Sequence, residues 1–203
     1  MDSFTPATVS AAEPTREQWA YRAIDFVRSI GIPVTTTSGE DIAGAFTPYC
    51  RIEAGGLVVN PEKVFPGDIL HEAGHIAVMP ARFRPSASGT LGKSLREMKD
   101  YLDAHSDAIG RFPEDPTIRG IVQSGEAEAA AWQYAAAQHI GLPDMWLFPP
   151  ESFEGQPEDA LLRLKTNSYL GINGLQAAGW TKVRTTSRLD APTYPELAFW
   201  LYP

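Results

Sequence analysis

"DILHEAGHIAV", residues 68–78, sets two histidines and a glutamate into an otherwise apolar segment. The chain has only four histidines, and two of them fall four apart where helix packing favours Leu and Ala. On a helix, positions i and i+4 share one face, one turn apart. His71 and His75 can then both reach a single metal ion. Glu72 stands about 100° around the same helix from His71, placed to meet a water at the ion rather than the ion itself. His71-Glu72-Ala73-Gly74-His75 is the H-E-x-x-H pattern. The ion this set suits is Zn²⁺, which imidazoles bind at about 2.0–2.1 Å. Zinc brings the pKa of its water to near 7, and a carboxylate beside it can take the proton. The apolar flanks weigh against a chance match, because a buried ionisable group is costly without a partner.

The surroundings give this helix a frame. Asp68 reads as its cap and Pro80 as its end. "YCRIEAGGLVVNPEKVF" before it reads as a short hairpin or edge strand turning at Gly55-Gly56. In "GLVVN" we expect an edge strand on which an extended peptide could lie as an added strand. Upstream, "TREQWAYRAIDFVRSIGIPV" is an amphipathic helix capped by Thr15 and stopped by Gly31 and Pro33. "TTTSGEDIAGAF" reads as loop. Downstream, "GKSLREMKDYLDAHSDAIGRF" is a helix with Leu95, Met98, Leu102, His105 and Ile109 along one stripe. "SGEAEAAAWQYAAAQHIGLP" is an Ala-rich helix with Ser124 as cap, and "PEDALLRLKTNSYLG" is a further helix. The aromatic, Pro-containing end gives only short extended pieces. The fold class is therefore α+β and mostly helical. Residues 1–14 are expected to be disordered, and 15–203 to form one domain.

Bulk properties narrow the partners. The chain has 203 residues and a formal net charge of −8, which argues against nonspecific nucleic-acid or anionic-membrane binding. No stretch approaches the roughly 20 apolar residues of a membrane span. The N-terminus lacks the apolar core of a secretory signal, so a soluble, cytoplasmic protein is expected. Cys50 is the lone cysteine, which rules out an intrachain disulfide and reads as a small buried apolar residue.

A catalytic zinc site needs a third protein ligand and one open position. The extended pattern H-E-x-x-H-x-x-G-x-x-H is excluded, since Val78 and Ala81 stand where it needs Gly and His. The donors left downstream are His105, a few Asp residues, Glu126 and Glu128. The two glutamates sit about 200° apart on one helix, so only one can face the metal, and periodicity does not choose between them. His105 lies on the inward stripe of its helix. It can be a core residue, a group stabilising an oxyanion at the zinc, or the third ligand itself. Tyr134, Tyr169, Arg184 and Tyr194 are further candidates for the oxyanion role. His139, at a helix end, reads as structural.

The motif helix together with "GEAEAAAW" resembles the gluzincin type of zincin, a class of zinc metallopeptidases. The nearest resemblance is to the ImmA/IrrE-type peptidases, in which a short strand and the H-E-x-x-H helix precede a helix reading roughly E-x-x-A-x-x-aromatic. Glu126, Ala129 and Trp132 fit that phrase. The resemblance spans about residues 52–80 and 122–140. It implies a zincin-like core, a small sheet beside the motif helix packed on a second ligand-bearing helix, with Glu126 as third ligand. The stretch from His75 to Glu126 is longer than is usual there, so residues 81–121 look like an insertion. Nothing beyond residue 145 matches that family's pattern.

These readings converge on a zinc metallopeptidase acting on a peptide or protein substrate. His71, His75 and Glu126 hold the metal, Glu72 is general base and acid, and His105 is a further catalytic candidate. Two alternatives stand beside it. A zinc-binding regulatory protein without proteolytic activity would have residues 81–121 plugging the site. A zinc hydrolase of a small amide would show a short pocket instead of a groove along "GLVVN".

Overall fold

A computed structural model of the chain describes residues 13–38, 47, 49–109, 114–185 and 189–203. Helix α1 (Arg16–Ser29) starts where Thr15 Oγ1 accepts from the Gln18 amide and Gln18 Oε1 accepts from the Thr15 amide, a reciprocal cap. Its inner face is Trp19, Ala20, Ala23, Ile24, Phe26 and Val27. Of the segment expected to be disordered, residues 1–12 lie outside the described part.

Three short strands form one sheet: β1 (Val34–Thr36), β2 (Cys50–Glu53) and β3 (Gly56–Val59). Their order is β1-β3-β2, with β1 parallel to β3 and β2 antiparallel to it. The expected hairpin is present, but it turns one residue earlier, on Ala54 (φ 48°) and Gly55 (φ 76°). Two left-handed residues in sequence give the turn whose twist matches the strands. Two expectations are corrected here. Val34–Thr36, read as the entry to a loop, is a strand too short to show a period; residues 39–46 of that stretch lie outside the described part. "GLVVN" is expected at an edge, yet β3 is the central strand with a partner on each side.

Helix α2 (Pro66–Val78) carries the His-Glu-His motif. Its cap is Phe65, with Pro66 at the first helical position, where a missing N–H costs nothing. Asp68, expected as the cap, is instead buried within the first turn. Every residue of α2 except His71 and His75 is buried, as befits the central helix of the fold. It packs on β2 and β3, on α1 and, most extensively, on α5 (Glu126–Ile140). A β-carbon added at Gly74 would stand 2.8 Å from the Ala129 carbonyl oxygen of α5. One at Gly67 would overlap the Leu147 carbonyl oxygen. These glycines let neighbouring backbone close on α2.

Residues 81–121 hold a short 3-10 helix (Ala81–Ser86), α3 (Gly92–Ala104) and the start of α4 (Pro116–Val122), which Asp115 caps. The inward stripe of α3 differs from the expected one. Ser94 and Met98 are buried, while Leu95 and Ile109 are exposed and the helix ends before His105. Beyond α5 come a single irregular turn, α6 (Ser152–Gly155), then α7 (Pro157–Lys165) and α8 (Leu170–Ala177), which packs on α5. The described part of the C-terminal stretch, residues 178–185 and 189–203, runs without helix or strand, apart from an isolated bridge between Lys182 and Thr193. The Tyr202 amide donates to Ala77 O, the Trp132 indole to Trp200 O, and Arg84 Nη2 to Tyr202 O. One apolar cluster extends from Trp19 to Tyr202. The architecture is α+β and mostly helical. No described helix is long and apolar enough to cross a membrane.

Candidate metal centre

His71 and His75 emerge one turn apart from α2, on the side that meets the first residue of α5. Their Nε2 atoms lie 3.2 Å apart. Glu126 bridges them, with Oε1 at 3.1 Å from His71 Nε2 and Oε2 at 3.2 Å from His75 Nε2. The ligand atoms of these three residues all fall within 4.8 Å of one another, and the group could hold a metal ion. Among the described residues no other such group occurs. The Glu126 side chain is 72% exposed, so the trio opens towards solvent.

Charge is distributed to match. Hydrogen bonds from His71 and then His75 hold the Glu126 carboxyl far below the ordinary carboxylate range. Burial acts to lower the His71 pKa, but the hydrogen bond and charge of Glu126 outweigh it and the net shift is upward.

Glu128, the other candidate, turns away from the trio. Its Oε2 accepts from the Gly125 amide at 3.1 Å, capping α5. Its carboxylate fills the space left by Gly174 of α8, where a β-carbon would overlap it. Burial pushes its pKa up.

Glu72 is buried, and its Oε1 accepts from Thr47 Oγ1 at 2.7 Å. Together with His75 and Glu126 it lines a cleft of about 360 Å³. The cleft's other walls are Gly89, Thr90, Leu91 and Leu95 on one side and Ser124 and Gly125 on the other. Residues 89–95 therefore flank the trio and leave it reachable. A second hollow of about 450 Å³, against His139, Glu196 and Trp200, has none of these groups in its lining.

Helical periodicity places His105 facing inward, and the structure corrects this. His105 is the exposed C-terminal cap of α3, with Nδ1 at 2.8 Å from Tyr101 O and its ring stacked on Tyr101 at 4.1 Å. It neither joins the trio nor lines the cleft. Among the tyrosines named for an oxyanion role, Tyr194 donates to Ala131 O at 2.9 Å and stacks on Tyr134. Tyr169, at the start of α8, is the one coupled to the site. Burial first, then the charges of Glu126 and Glu128, push its pKa up. Cys50 is fully buried; burial, Glu72 and Asp68 together push its thiol well above its usual range. His139 packs between Phe26 and Trp200, a structural role.

Two residues of the site, Thr47 beside Glu72 and Gln133 beside His71, are absent from the sequence-based set. Gln133 is buried, with Oε1 3.2 Å from His71 Nδ1. Its signal was present, because it lies seven positions past Glu126, two turns along the same face of α5. In an Ala-rich helix it is the polar side chain on that face.

Comparison of the chain with known protein families, with curated proteins and with solved structures gives no match.

Proposed function

We propose that the chain is a zinc-dependent metallopeptidase with a zincin-like core, in which His71, His75 and Glu126 hold the metal. The carrying observation is the convergence of these three donors at 3.1–3.2 Å beside Glu72 on the floor of one open cleft. Ligands bound to one tetrahedral zinc at its usual bond lengths stand about 3.3 Å apart, so the donor set fits the ion with shifts of tenths of an ångström. Two imidazoles and a carboxylate are also a known catalytic zinc set with one position left open.

Zinc held there supplies Lewis acidity and a water acidified to near neutrality. The protein's own groups do the rest. Thr47 fixes Oε1 of Glu72, which leaves Oε2 to take the water's proton and pass it to the departing amine nitrogen. The wall residues Gly89, Thr90, Leu91 and Leu95 carry no charge, so the charged side chains lining the cleft are those of Glu72 and the trio.

A second reading, a zinc hydrolase of a small amide, draws support from the sheet. β3 is paired on both sides. On the outer side of β2, the Cys50 amide donates to Thr47 O and Ile52 O accepts from the Gly89 amide. An extended peptide cannot add there without displacing these bonds. Glu72 at the cleft weighs against a zinc protein that only binds, since a purely structural site has no use for such a carboxylate.

Metal content of the purified protein tests the proposal, beside Glu126→Ala and Glu128→Ala. About one zinc per chain is expected, lost in Glu126→Ala and kept in Glu128→Ala. Absence of zinc from the wild type after growth with the metal would overturn it. A peptide library and a panel of small acyl amides, each compared with Glu72→Gln, then separate the two hydrolase readings.

A further inference from the structure

We infer that Gln133 sets the tautomer of His71 and so aims its Nε2 lone pair at the metal position. The inference rests on the proposed metal site, and it concerns a residue outside that site's ligand set.

Donors and acceptors decide the matter. Gln133 is 2% exposed. Its Nε2 donates to two backbone carbonyls, Gly67 O at 3.1 Å and Leu147 O at 2.9 Å. A carbonyl oxygen only accepts. Flipping the amide would set its own oxygen against both of them, so its orientation is fixed by the fold. The amide oxygen then faces His71 Nδ1 at 3.2 Å, and it too only accepts. Nδ1 therefore carries the hydrogen. Nε2 faces a second acceptor, Glu126 Oε1 at 3.1 Å; a neutral imidazole has one N–H, so when a metal takes Nε2 the hydrogen that remains is the one Gln133 holds on Nδ1.

The anchors explain why this holds firmly. Gly67 lies in the first turn of α2 and Leu147 on the connection after α5. The absence of a side chain at Gly67 lets the Leu147 carbonyl close on α2, so three backbone segments meet at one amide. Ring orientation by such a partner commonly changes metal affinity by about 10- to 100-fold when the partner is removed.

The test uses ¹⁵N-histidine NMR of the zinc-loaded protein, with the His71 signals identified by their loss in His71→Asn. Zinc affinity is read by competition with a chromophoric chelator. The wild type is expected as the Nδ1–H tautomer. Gln133→Met should speed exchange of the His71 Nδ1 hydrogen with water and weaken zinc about 10- to 100-fold. An Nε2–H tautomer in the wild type overturns the inference, whatever the variants do. So does a folded Gln133→Met with unchanged exchange of the Nδ1 hydrogen and unchanged zinc affinity. A wild type that binds no zinc overturns the metal reading; an Nδ1 hydrogen slow to exchange in that wild type and fast in Gln133→Met leaves the role of Gln133 standing, and one already fast in the wild type overturns both.

Discussion

Gly74 and Ala129 hold the two site-bearing helices at backbone contact: a β-carbon on Gly74 would lie 2.8 Å from Ala129 O and 3.3 Å from its carbonyl carbon. The obstacle is backbone, so it cannot rotate out of the way. Gly74→Ala gains about 1 kcal/mol of helix propensity and loses about 1–3 kcal/mol to overpacking. The clash wins, since α2 cannot retreat from a position where it is buried all round. We expect a lower melting temperature and weaker zinc binding together, because moving α2 from α5 parts His71 and His75 from Glu126. Calorimetry and metal titration of one preparation check this; an unchanged melting temperature would refute it.

Glu72→Gln should keep the metal and lose the chemistry. Removing a positioned proton acceptor costs about 10²–10⁴-fold in rate. Glu72 is not one of the three converging donors, so zinc content should stay near wild type. Zinc analysis and substrate turnover on the same sample separate the two effects. Loss of zinc along with activity would mean that Glu72 supports the metal itself.

Asp68 gives the fold a pH dependence. Burial pushes its carboxyl from 3.8 up to about 7, with Glu72 and Glu151 adding to the shift and His71 opposing it. A carboxyl whose folded pKa is raised contributes stability that is fully present below its unfolded pKa. That stability is lost as pH rises through the folded value. The window is about pH 4 to 7, and a shift of this size corresponds to at most about 4 kcal/mol. Asp68→Asn should therefore raise the melting temperature of the metal-free protein at pH 8 and give little or no gain at pH 4. An equal gain at both pH values would show that packing, not ionisation, is responsible.

Leu95 is half exposed, and it lines the cleft together with Leu91, Thr90 and Gly89. If the proposed hydrolase binds an apolar side chain against this wall, Leu95→Asp should lower kcat/KM for such substrates by about 10-fold or more. Zinc content should not change. Measuring kcat/KM across peptides that differ only in the residues flanking the cleaved bond checks this. A uniform loss for apolar and polar substrates would place the recognition elsewhere.

How much of the molecule is legible in its sequence depends on the reach of each signal. The α2 motif is legible because i and i+4 fix a face regardless of what packs around it. Thr15 announces α1 because its capping box is local. Asp68 misleads for the opposite reason: in α2 a proline and tertiary burial replace the side-chain cap that composition favours. His105 falls on an inward stripe only if the period is extended past residue 104, where the helix has already ended. The choice between Glu126 and Glu128 is closed to periodicity, since both lie on α5 and only the position of α2 and α8 distinguishes their faces. β1 spans three residues, shorter than any window in which alternation can be counted. Gln133 goes unremarked because its partners, Gly67 and Leu147, are backbone carbonyls whose positions no side-chain pattern records.

The bonds along the two borders of the sheet have a consequence for behaviour at high concentration. An open strand edge is a template on which a second copy of a chain can pair and begin to aggregate. Here the Val34 carbonyl on β1 is held by the Arg28 guanidinium, and the outward groups of Cys50 and Ile52 on β2 are engaged by Thr47 and Gly89. The same contacts that narrow the approach to the cleft also deny these edge positions to a neighbouring molecule. Once folded, the three short strands thus offer a second copy of the chain few free backbone groups at these positions.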